Sequence, residues 1–313
     1  MKHRDVAENQ CIIAPRNQDP YMMAEIENTR SIRRAVLPAC ILFLVWAGNA
    51  AAASGFFTTS DNVRLHYIVE GKGPTIVFVP GWIMPADIWA AQLQYFSKHF
   101  QVVALDPRSQ GESQIASSGH DPKRRARDIS ELINALDLHD VVLVGWSLGV
   151  LETLAYINFF GDERLAALVW VDNSIGEDPP PQPTNFLQEY RAHRDEAVER
   201  FVRGMFRQPR PESYYRQLTQ MALRTPSEAA IALLTNLYAR EFWREAAYKT
   251  EKPVLYAVTP RFEEQARNFK HNRPQAWTET FRDAGHALFV DDADRFNALL
   301  KKFLDQNVST GNP

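Results

Sequence analysis

The chain has 313 residues, of which 45% are hydrophobic, so it is long enough to bury a substantial core in one large or two small domains. Its 35 lysines and arginines nearly balance 38 aspartates and glutamates, which argues against the strongly basic surface of a nucleic-acid-binding protein. The only cysteines, Cys11 and Cys40, are too few for a disulfide framework or a cysteine metal site. Because it also contains no H-E-x-x-H, P-loop or complete G-x-G-x-x-G motif, we expect no metal, no organic cofactor and no nucleic-acid partner.

Residues 1–53 are predicted to be an N-terminal extension that ends in an export signal. Arg33 and Arg34 precede the uncharged run from Ala35 to Ala47, and an alanine-rich stretch follows. A basic flank, an apolar segment and an A-x-A site are typical of a signal cleaved after Ala53, and the paired arginines also fit the twin-arginine route. The alternative is an uncleaved membrane anchor, because the alanines could lengthen an apolar run that is short of the roughly 20 residues of a bilayer span. The sequence therefore predicts a periplasmic or secreted protein, either free or tethered to the membrane.

Short apolar runs alternate with a helical pattern in the next part of the chain. Runs at 62–69, 75–79 and 102–105 are predicted strands, and the last two are largely apolar, like strands buried on both faces of a parallel sheet. Asp121 followed by Pro122 predicts a helix start, because an N-cap residue precedes proline at the first helical position. The alternation indicates an α/β protein with a doubly wound, mostly parallel sheet.

The apolar run Val141 to Val144 ends in Gly145-Trp146-Ser147-Leu148-Gly149, and a helical pattern begins at once. This is G-x-S-x-G between a strand and a helix, the pattern of a nucleophile elbow. Side chains at positions 145 and 149 would collide with the neighbouring strand or helix, which explains the two glycines. The turn predicts that the Ser147 hydroxyl points into the crevice beyond the sheet as a candidate nucleophile, with the backbone N–H of Leu148 directed at the same space.

From about residue 55 to residue 304, the chain resembles the α/β-hydrolase superfamily. Pro80-Gly81-Trp82 follows a predicted strand at the place where this family usually carries a His-Gly-x oxyanion loop. The turn at 106–113 reads Asp-Pro-Arg-Ser-Gln-Gly-Glu-Ser and matches the family pattern D-x-R-G-x-G-x-S, with Ser109 in place of a glycine. The resemblance implies an α/β-hydrolase fold in which the backbone N–H groups of Trp82 and Leu148 are the two oxyanion donors.

A change of composition follows the predicted strand at 165–171. The proline-rich stretch at 177–183 excludes a strand or helix, and residues 184–249 are helical in character and rich in aromatic side chains. Within them, Thr225-Pro226-Ser227-Glu228 predicts a capping box. Strands are expected again near 253–258 and 276–281, and Asp291 and Asp292 are candidate N-caps of a last helix.

The resemblance also predicts the domain organisation, because an insertion at this point of the family forms a lid over the active site. It implies an α/β-hydrolase core at 54–174 and 251–313, and a helical cap at 175–250 inserted after the sixth strand. Some of the cap's aromatic rings are expected to line the pocket, and the others to pack the cap onto the core.

His286 is the candidate general base. Gly285-His286 follows the last predicted strand and matches the histidine loop of the resembled family, and none of the other histidines has such a context. The family usually carries its acid in the loop after the strand at 254–258, but this loop has arginine and phenylalanine where the aspartate is expected. Some members place the acid one strand earlier, where Asp172 lies, so the resemblance implies Asp172, with Glu263 or Glu264, or no acid at all, as the alternatives. Such a carboxylate would hold the imidazole in the tautomer that accepts the serine proton.

These residues together predict a serine hydrolase that cleaves small-molecule esters with a small or medium, apolar acyl part through an acyl-enzyme. Three alternatives stay open: a perhydrolase or haloperoxidase-like activity on the same triad, a ligand-sensing protein with little turnover, and an interaction protein with an inactive site, against which the Ser147–His286 pair argues. A dehalogenase or epoxide hydrolase of this fold would need an aspartate in place of Ser147, which disfavours both.

Overall fold

An eight-stranded sheet forms the centre of residues 53–308, the part of the chain that the computed structural model describes. The strands are β1 Ala53–Thr58, β2 Arg64–Glu70, β3 Thr75–Val79, β4 Gln101–Leu105, β5 Val141–Trp146, β6 Leu165–Val171, β7 Val254–Val258 and β8 Trp277–Thr280. Their spatial order is β1-β2-β4-β3-β5-β6-β7-β8. β2 pairs antiparallel with β1 and β4, and every other neighbouring pair is parallel. The predicted α/β class with a mostly parallel sheet is confirmed.

The sheet order creates a crevice at the carboxyl ends of its central strands. β3 lies between β4 and β5, so the chain adds β4 on one side of β3 and then crosses to the other side for β5. Both β3 and β5 are buried along their whole length, which fits their largely apolar sequences. In open α/β sheets, ligands bind beyond the carboxyl ends of strands at such a switch point. The ends of β3 and β5, at Val79 and Trp146, therefore mark the place of a site.

Helices accompany the sheet, and five of them lie between β6 and β7. The described helices are α1 Ala90–Phe96, α2 Pro122–Ala135, α3 Leu148–Phe160, α4 Phe186–Ala192, α5 Arg194–Gly204, α6 Glu212–Leu223, α7 Ser227–Thr235, α8 Arg240–Lys249, α9 Glu263–Asn272, α10 Leu288–Asp291 and α11 Ala293–Asn307. Helices α4 to α8 belong to the segment 175–250, here called the helical insertion. It occupies the position in the chain at which the sequence predicts a cap.

Of two predicted helix caps, at Asp121 and at Thr225, the structure contains the first and not the second. Asp121 caps α2 as predicted, because its Oδ1 accepts a hydrogen bond from Arg124 N at 3.0 Å. The capping box at Thr225 is wrong: α7 begins at Ser227 without a side-chain cap, and the buried Thr225 hydroxyl has no hydrogen-bond partner in the described structure. The hydroxyl faces the interior, where it cannot reach the first amides of the helix.

Two elements of the structure, strand β1 and helix α1, are not among those predicted from the sequence.

The predicted export signal or anchor lies outside the described residues, except for Ala53, the first residue of β1. Within residues 53–308, no helix has both the length and the apolar character of a membrane span.

Candidate active site

Ser147 lies in a sharp turn between β5 and α3. Its φ of +54° and ψ of −121° are rare for a residue with a side chain and indicate local backbone strain. The flanking glycines permit the turn, because a Cβ on Gly145 would lie 2.4 Å from the Gly149 carbonyl oxygen and one on Gly149 would lie 2.5 Å from the Val79 oxygen. The collision expected from the sequence is thus present on both sides, and the turn holds the serine at the carboxyl end of β5.

Ser147, His286 and Asp172 form one hydrogen-bonded chain. His286 Nε2 lies 2.8 Å from Ser147 Oγ, and His286 Nδ1 lies 2.8 Å from Asp172 Oδ2. Asp172 is 1% exposed and follows β6, whereas His286 lies in the loop after β8. The structure therefore brings together the three side chains that the sequence singles out, although 139 positions separate the serine from the histidine.

Asp172, and not a glutamate after β7, is the carboxylate that contacts the imidazole. Its second oxygen, Oδ1, accepts hydrogen bonds from Thr259 N at 2.6 Å and from Thr259 Oγ1 at 2.8 Å. Glu263 instead forms an ion pair with Arg282, and Glu264 is exposed at the start of α9. The geometry thus does not support the alternative of Glu263 or Glu264. The loop after β7 does not supply the acid that contacts His286. It supplies Thr259, which donates hydrogen bonds to the Asp172 carboxylate.

Two hydrogen bonds fix the loop that carries His286. Trp146 Nε1 donates to the His286 carbonyl at 2.8 Å, and Gly285 N donates to Asp291 Oδ2 at 2.7 Å. The buried Asp291 carboxylate also accepts a bond from Arg207 N, in the helical insertion, at 2.6 Å. The expectation that Asp291 caps the last helix is therefore wrong, and α11 has no side-chain cap. Asp291 instead ties the histidine loop to the helical insertion.

Trp82 and Leu148, the two predicted oxyanion donors, line the same cavity as Ser147. Leu148 is the first residue of α3, and the first amides of a helix have no acceptor within the helix. Trp82 follows β3, and its indole Nε1 donates to Ala230 O in the helical insertion at 2.8 Å. The Trp82 ring therefore anchors the loop after β3 to the helical insertion.

Gln110 holds the loop around Trp82 in place. Its Nε2 donates to Gly81 O at 3.0 Å and to Met84 O at 2.9 Å, so one amide bridges both ends of the loop. Between those ends, Ile83 has a φ of +52°, a left-handed conformation that is strained for a β-branched residue. Gln110 thus fixes a strained loop on which one of the predicted oxyanion donors depends.

A buried ion pair fixes Gln110 in turn. Arg125 donates to Gln110 Oε1 from Nη1 and Nη2, at 3.2 Å each, and Nη2 lies 2.5 Å from Glu152 Oε1. Glu152 is on α3, and within the described residues its Oε1 accepts no hydrogen bond of good geometry. Burial raises the pKa of Glu152 to about 7, because the nearby Arg125 compensates only in part for the loss of water.

Ser109 adopts the backbone conformation that explains the glycine of the resembled pattern. Its φ is +65°, in the left-handed region that favours glycine. Its hydroxyl accepts a bond from Ala116 N at 3.0 Å and lies 2.9 Å from His120 Nε2. Burial lowers the pKa of His120 to about 4, so the ring is neutral at pH 7 and its Nε2 can accept a hydrogen bond from the Ser109 hydroxyl. These bonds offset the strain of a non-glycine residue.

A cavity of about 450 Å³ opens next to the Ser147 hydroxyl. Apolar side chains make up most of its wall, and the helical insertion supplies several of them. The lining residues from the insertion are Pro181, Thr184, Phe186, Phe201, Leu234 and Leu237. The cavity is of the size and character of a small-molecule site.

The fold and this site can be compared with known proteins. Residues 76–299 match the model of the "Alpha/beta hydrolase family". The chain belongs to this family. That match spans most of the described residues, including the nucleophile elbow and the histidine loop.

Curated relatives within the α/β hydrolase family have esterase and peroxidase names. The chain is 35% identical over 147 residues to a non-heme chloroperoxidase of Streptomyces lividans, an alignment that covers 44% of this chain and 53% of that protein. It is 34% identical over 120 residues to a bifunctional esterase/perhydrolase of Acinetobacter calcoaceticus, covering 37% of this chain and 44% of that one. The chain thus spans about half the length of these curated relatives.

Among solved structures, an esterase from Exiguobacterium antarcticum superposes with a TM-score of 0.73 and 20% identity. The superposition covers 80% of this chain and 98% of that one. At this identity the likeness concerns the fold alone.

Sequence reasoning did not find Gln110, Glu152 or Asp291. Glu152 had a visible signal, because it is the only charged residue in the mainly apolar helix α3. Gln110 lies at a variable position of a recognised turn, and Asp291 looks like an ordinary helix cap. For these two residues, only the distant partners in the folded chain reveal the role.

Proposed function

We propose that the protein is a serine esterase that hydrolyses carboxylic esters with a small or medium, apolar acyl part. The observation that carries this proposal is the hydrogen-bonded chain from Ser147 through His286 to the buried Asp172. A weakly nucleophilic hydroxyl becomes reactive when a positioned base can take its proton, and the base needs a third group to orient it.

The first half of the reaction forms an acyl-enzyme. Ser147 Oγ attacks the ester carbonyl carbon while His286 Nε2 takes the hydroxyl proton. The resulting imidazolium is stabilised by the Asp172 carboxylate, which holds the Nδ1 hydrogen. When the tetrahedral intermediate collapses, the bond to the alcohol oxygen breaks and His286 gives its proton to the leaving alcohol.

The second half consumes water and restores the enzyme. His286 takes a proton from a water molecule, whose oxygen attacks the acyl carbon, and the proton then returns to Ser147 Oγ as the acid departs. In both halves the carbonyl oxygen becomes negative, and the backbone N–H groups of Trp82 and Leu148 are proposed to bind it. Each such donor is worth about 3 kcal/mol of transition-state stabilisation in related sites.

The size and lining of the cavity support the substrate class. A volume of about 450 Å³ next to Ser147 accommodates a small or medium molecule, and the wall around it is mainly leucine and aromatic. An apolar acyl group loses its contact with water there, which is favourable at about 25 cal/mol for each Å² buried.

The test is hydrolysis of p-nitrophenyl acetate and p-nitrophenyl butyrate by the purified protein and by Ser147→Ala. We expect the wild type to release p-nitrophenol in a burst followed by steady turnover, and the variant to be inactive. Equal rates in the two proteins would contradict the serine mechanism. Saturable binding of an ester without turnover by the wild type would favour the ligand-sensing alternative.

A second candidate function is perhydrolysis, and the similarity to a protein named as a bifunctional esterase/perhydrolase favours it. In that reaction, hydrogen peroxide takes the place of water, and the acyl group leaves Ser147 as a peracid. The measurement is peracid formation from acetate ester and peroxide, with Ser147→Ala as the control. Peracid production that persists in the variant would be non-enzymatic.

A further inference from the structure

Arg261 brings a positive charge to an otherwise largely apolar cavity. It lies in the short 3-10 turn Pro260–Phe262 that follows β7, and it lines the same cavity as Ser147 and His286. The cavity wall also contains Asp172, the only acidic residue among the lining side chains. Asp172 is buried, and its two carboxylate oxygens are already hydrogen-bonded, Oδ2 to His286 and Oδ1 to Thr259.

Two carboxylates, Glu263 and Asp178, are paired with arginines other than Arg261. Glu263, two residues along, is paired with Arg282, and Asp178 of the helical insertion pairs with Arg240 at 2.6 Å. Among residues 53–308, no acid lies within ion-pair distance of Arg261, whose guanidinium carbon lies 5.3 Å from the centre of the Phe262 ring. A cation on the wall of the cavity is thus available to a ligand.

A guanidinium in this position is suited to a carboxylate. Its planar N–H donors match the two oxygens of a carboxylate, and such charge-assisted bonds are about twice as strong as neutral ones. The apolar wall around it supplies no competing acceptor of equal strength. A neutral ester could bind in the cavity without forming an ion pair with Arg261.

We propose that the cavity takes esters that carry a carboxylate remote from the scissile bond, such as monoesters of dicarboxylic acids, and that Arg261 binds this carboxylate. The inference rests on the proposed esterase function and specifies its substrate class. The apolar wall receives the methylene chain, Ser147 receives the ester carbonyl, and Arg261 receives the free acid group.

The experiment compares monoethyl adipate with ethyl hexanoate, two esters with acyl chains of equal length that differ in the terminal carboxylate. We expect wild-type kcat/KM to favour the monoester, and Arg261→Gln to reduce the ratio of the two values by up to about fivefold, as for an ion pair made by an exposed arginine. The preference should also weaken as salt is added, because ions screen the attraction. Arg267→Gln is the matched control, since Arg267 is an exposed arginine on α9 that does not line the cavity.

A binding measurement separates this inference from the proposed function. Calorimetry with Ser147→Ala, alone and combined with Arg261→Gln, reads the affinity for monoethyl adipate without any turnover. Arg261-dependent affinity supports the carboxylate site even if neither ester is hydrolysed, an outcome that would contradict only the esterase proposal. Hydrolysis of ethyl hexanoate without a preference for the monoester, or a preference that survives Arg261→Gln, would overturn the inference.

Discussion

Replacing Gln110 by methionine tests whether the loop around Trp82 must be held in place for catalysis. Methionine keeps the approximate volume but has neither the Nε2 donors nor the Oε1 acceptor, so the Gly81 and Met84 carbonyls lose their bonds to Nε2 and Arg125 loses its bonds to Oε1. Gln110 is 0% exposed, and water does not replace those bonds without rearrangement. Ile83, between the two carbonyls, has a strained backbone conformation, so we expect the loop to relax when its hydrogen bonds to Gln110 are lost.

Gln110→Met is expected to lower both the stability of the protein and the rate of catalysis, and the two losses have different causes. A buried acceptor left without its partner costs about 1–3 kcal/mol, so two carbonyls reduce the free energy of unfolding by about 2–6 kcal/mol before relaxation. Catalysis suffers in addition if the Trp82 N–H moves away from the oxyanion, because a complete loss of one such donor reduces kcat by about 10²–10³. Partial displacement should reduce kcat by about 10- to 100-fold with little change in KM, since the donor acts mainly in the transition state.

Steady-state kinetics and thermal unfolding of Gln110→Met and Gln92→Met provide the comparison. Gln92 is also 0% exposed and donates two hydrogen bonds, to Phe289 O at 2.9 Å and to Asn297 Oδ1 at 3.0 Å, away from Trp82. Both variants should lose stability, but only Gln110→Met should lose kcat and affinity for a boronic acid that mimics the tetrahedral intermediate. An equal loss of kcat in both variants, or unchanged kcat in Gln110→Met, would refute the positioning role.

Three further predictions concern the acid, a buried carboxyl group and the leader. Asp172→Asn should lower kcat by about 10⁴, as for loss of the correct histidine tautomer, whereas Glu263→Gln should change kcat little. A larger loss of kcat in Glu263→Gln than in Asp172→Asn would indicate that Glu263 is the acid. Glu152 has its pKa raised to about 7, so the folded state keeps a proton that the unfolded chain releases near 4.5. Its contribution to stability is therefore present below about pH 4.5 and lost as pH rises through about 7, by about 3 kcal/mol, and denaturation of Glu152→Gln should lack this decline. N-terminal sequencing of exported protein should begin near Ser54, and an intact leader in the membrane fraction would indicate an anchor.

The parts of the site that a short stretch of chain encodes could be predicted from the sequence. The turn at Ser147 needs only the strand before it, the helix after it and the two glycines, all within one contiguous segment. The strands of the sheet centre are equally local, because burial on both faces requires uninterrupted apolar residues. Their bounds agree with the structure to within a residue or two.

The contacts between distant parts of the chain could not be predicted in this way. Asp172 and His286 are 114 positions apart, and Asp-Asn-Ser is by itself ordinary turn chemistry, so only the family resemblance implies Asp172 as the acid. Gln110, Arg125 and Glu152 likewise come from a turn and two different helices, and their bonds exist only once those elements pack. Nothing in the local pattern at Thr225 reveals that its hydroxyl faces the interior.

The position of the acid has a consequence for the rest of the site. Because Asp172 after β6 already contacts His286, the loop after β7 needs no carboxylate, and its Thr259 supplies two hydrogen bonds to Asp172 instead. An aspartate in that loop would place a second negative charge near the first and disfavour ionisation of both. The loop can therefore carry Arg261 on the cavity wall. The displacement of the acid to the end of β6 thus leaves a place on the cavity wall for Arg261, the proposed carboxylate-binding residue.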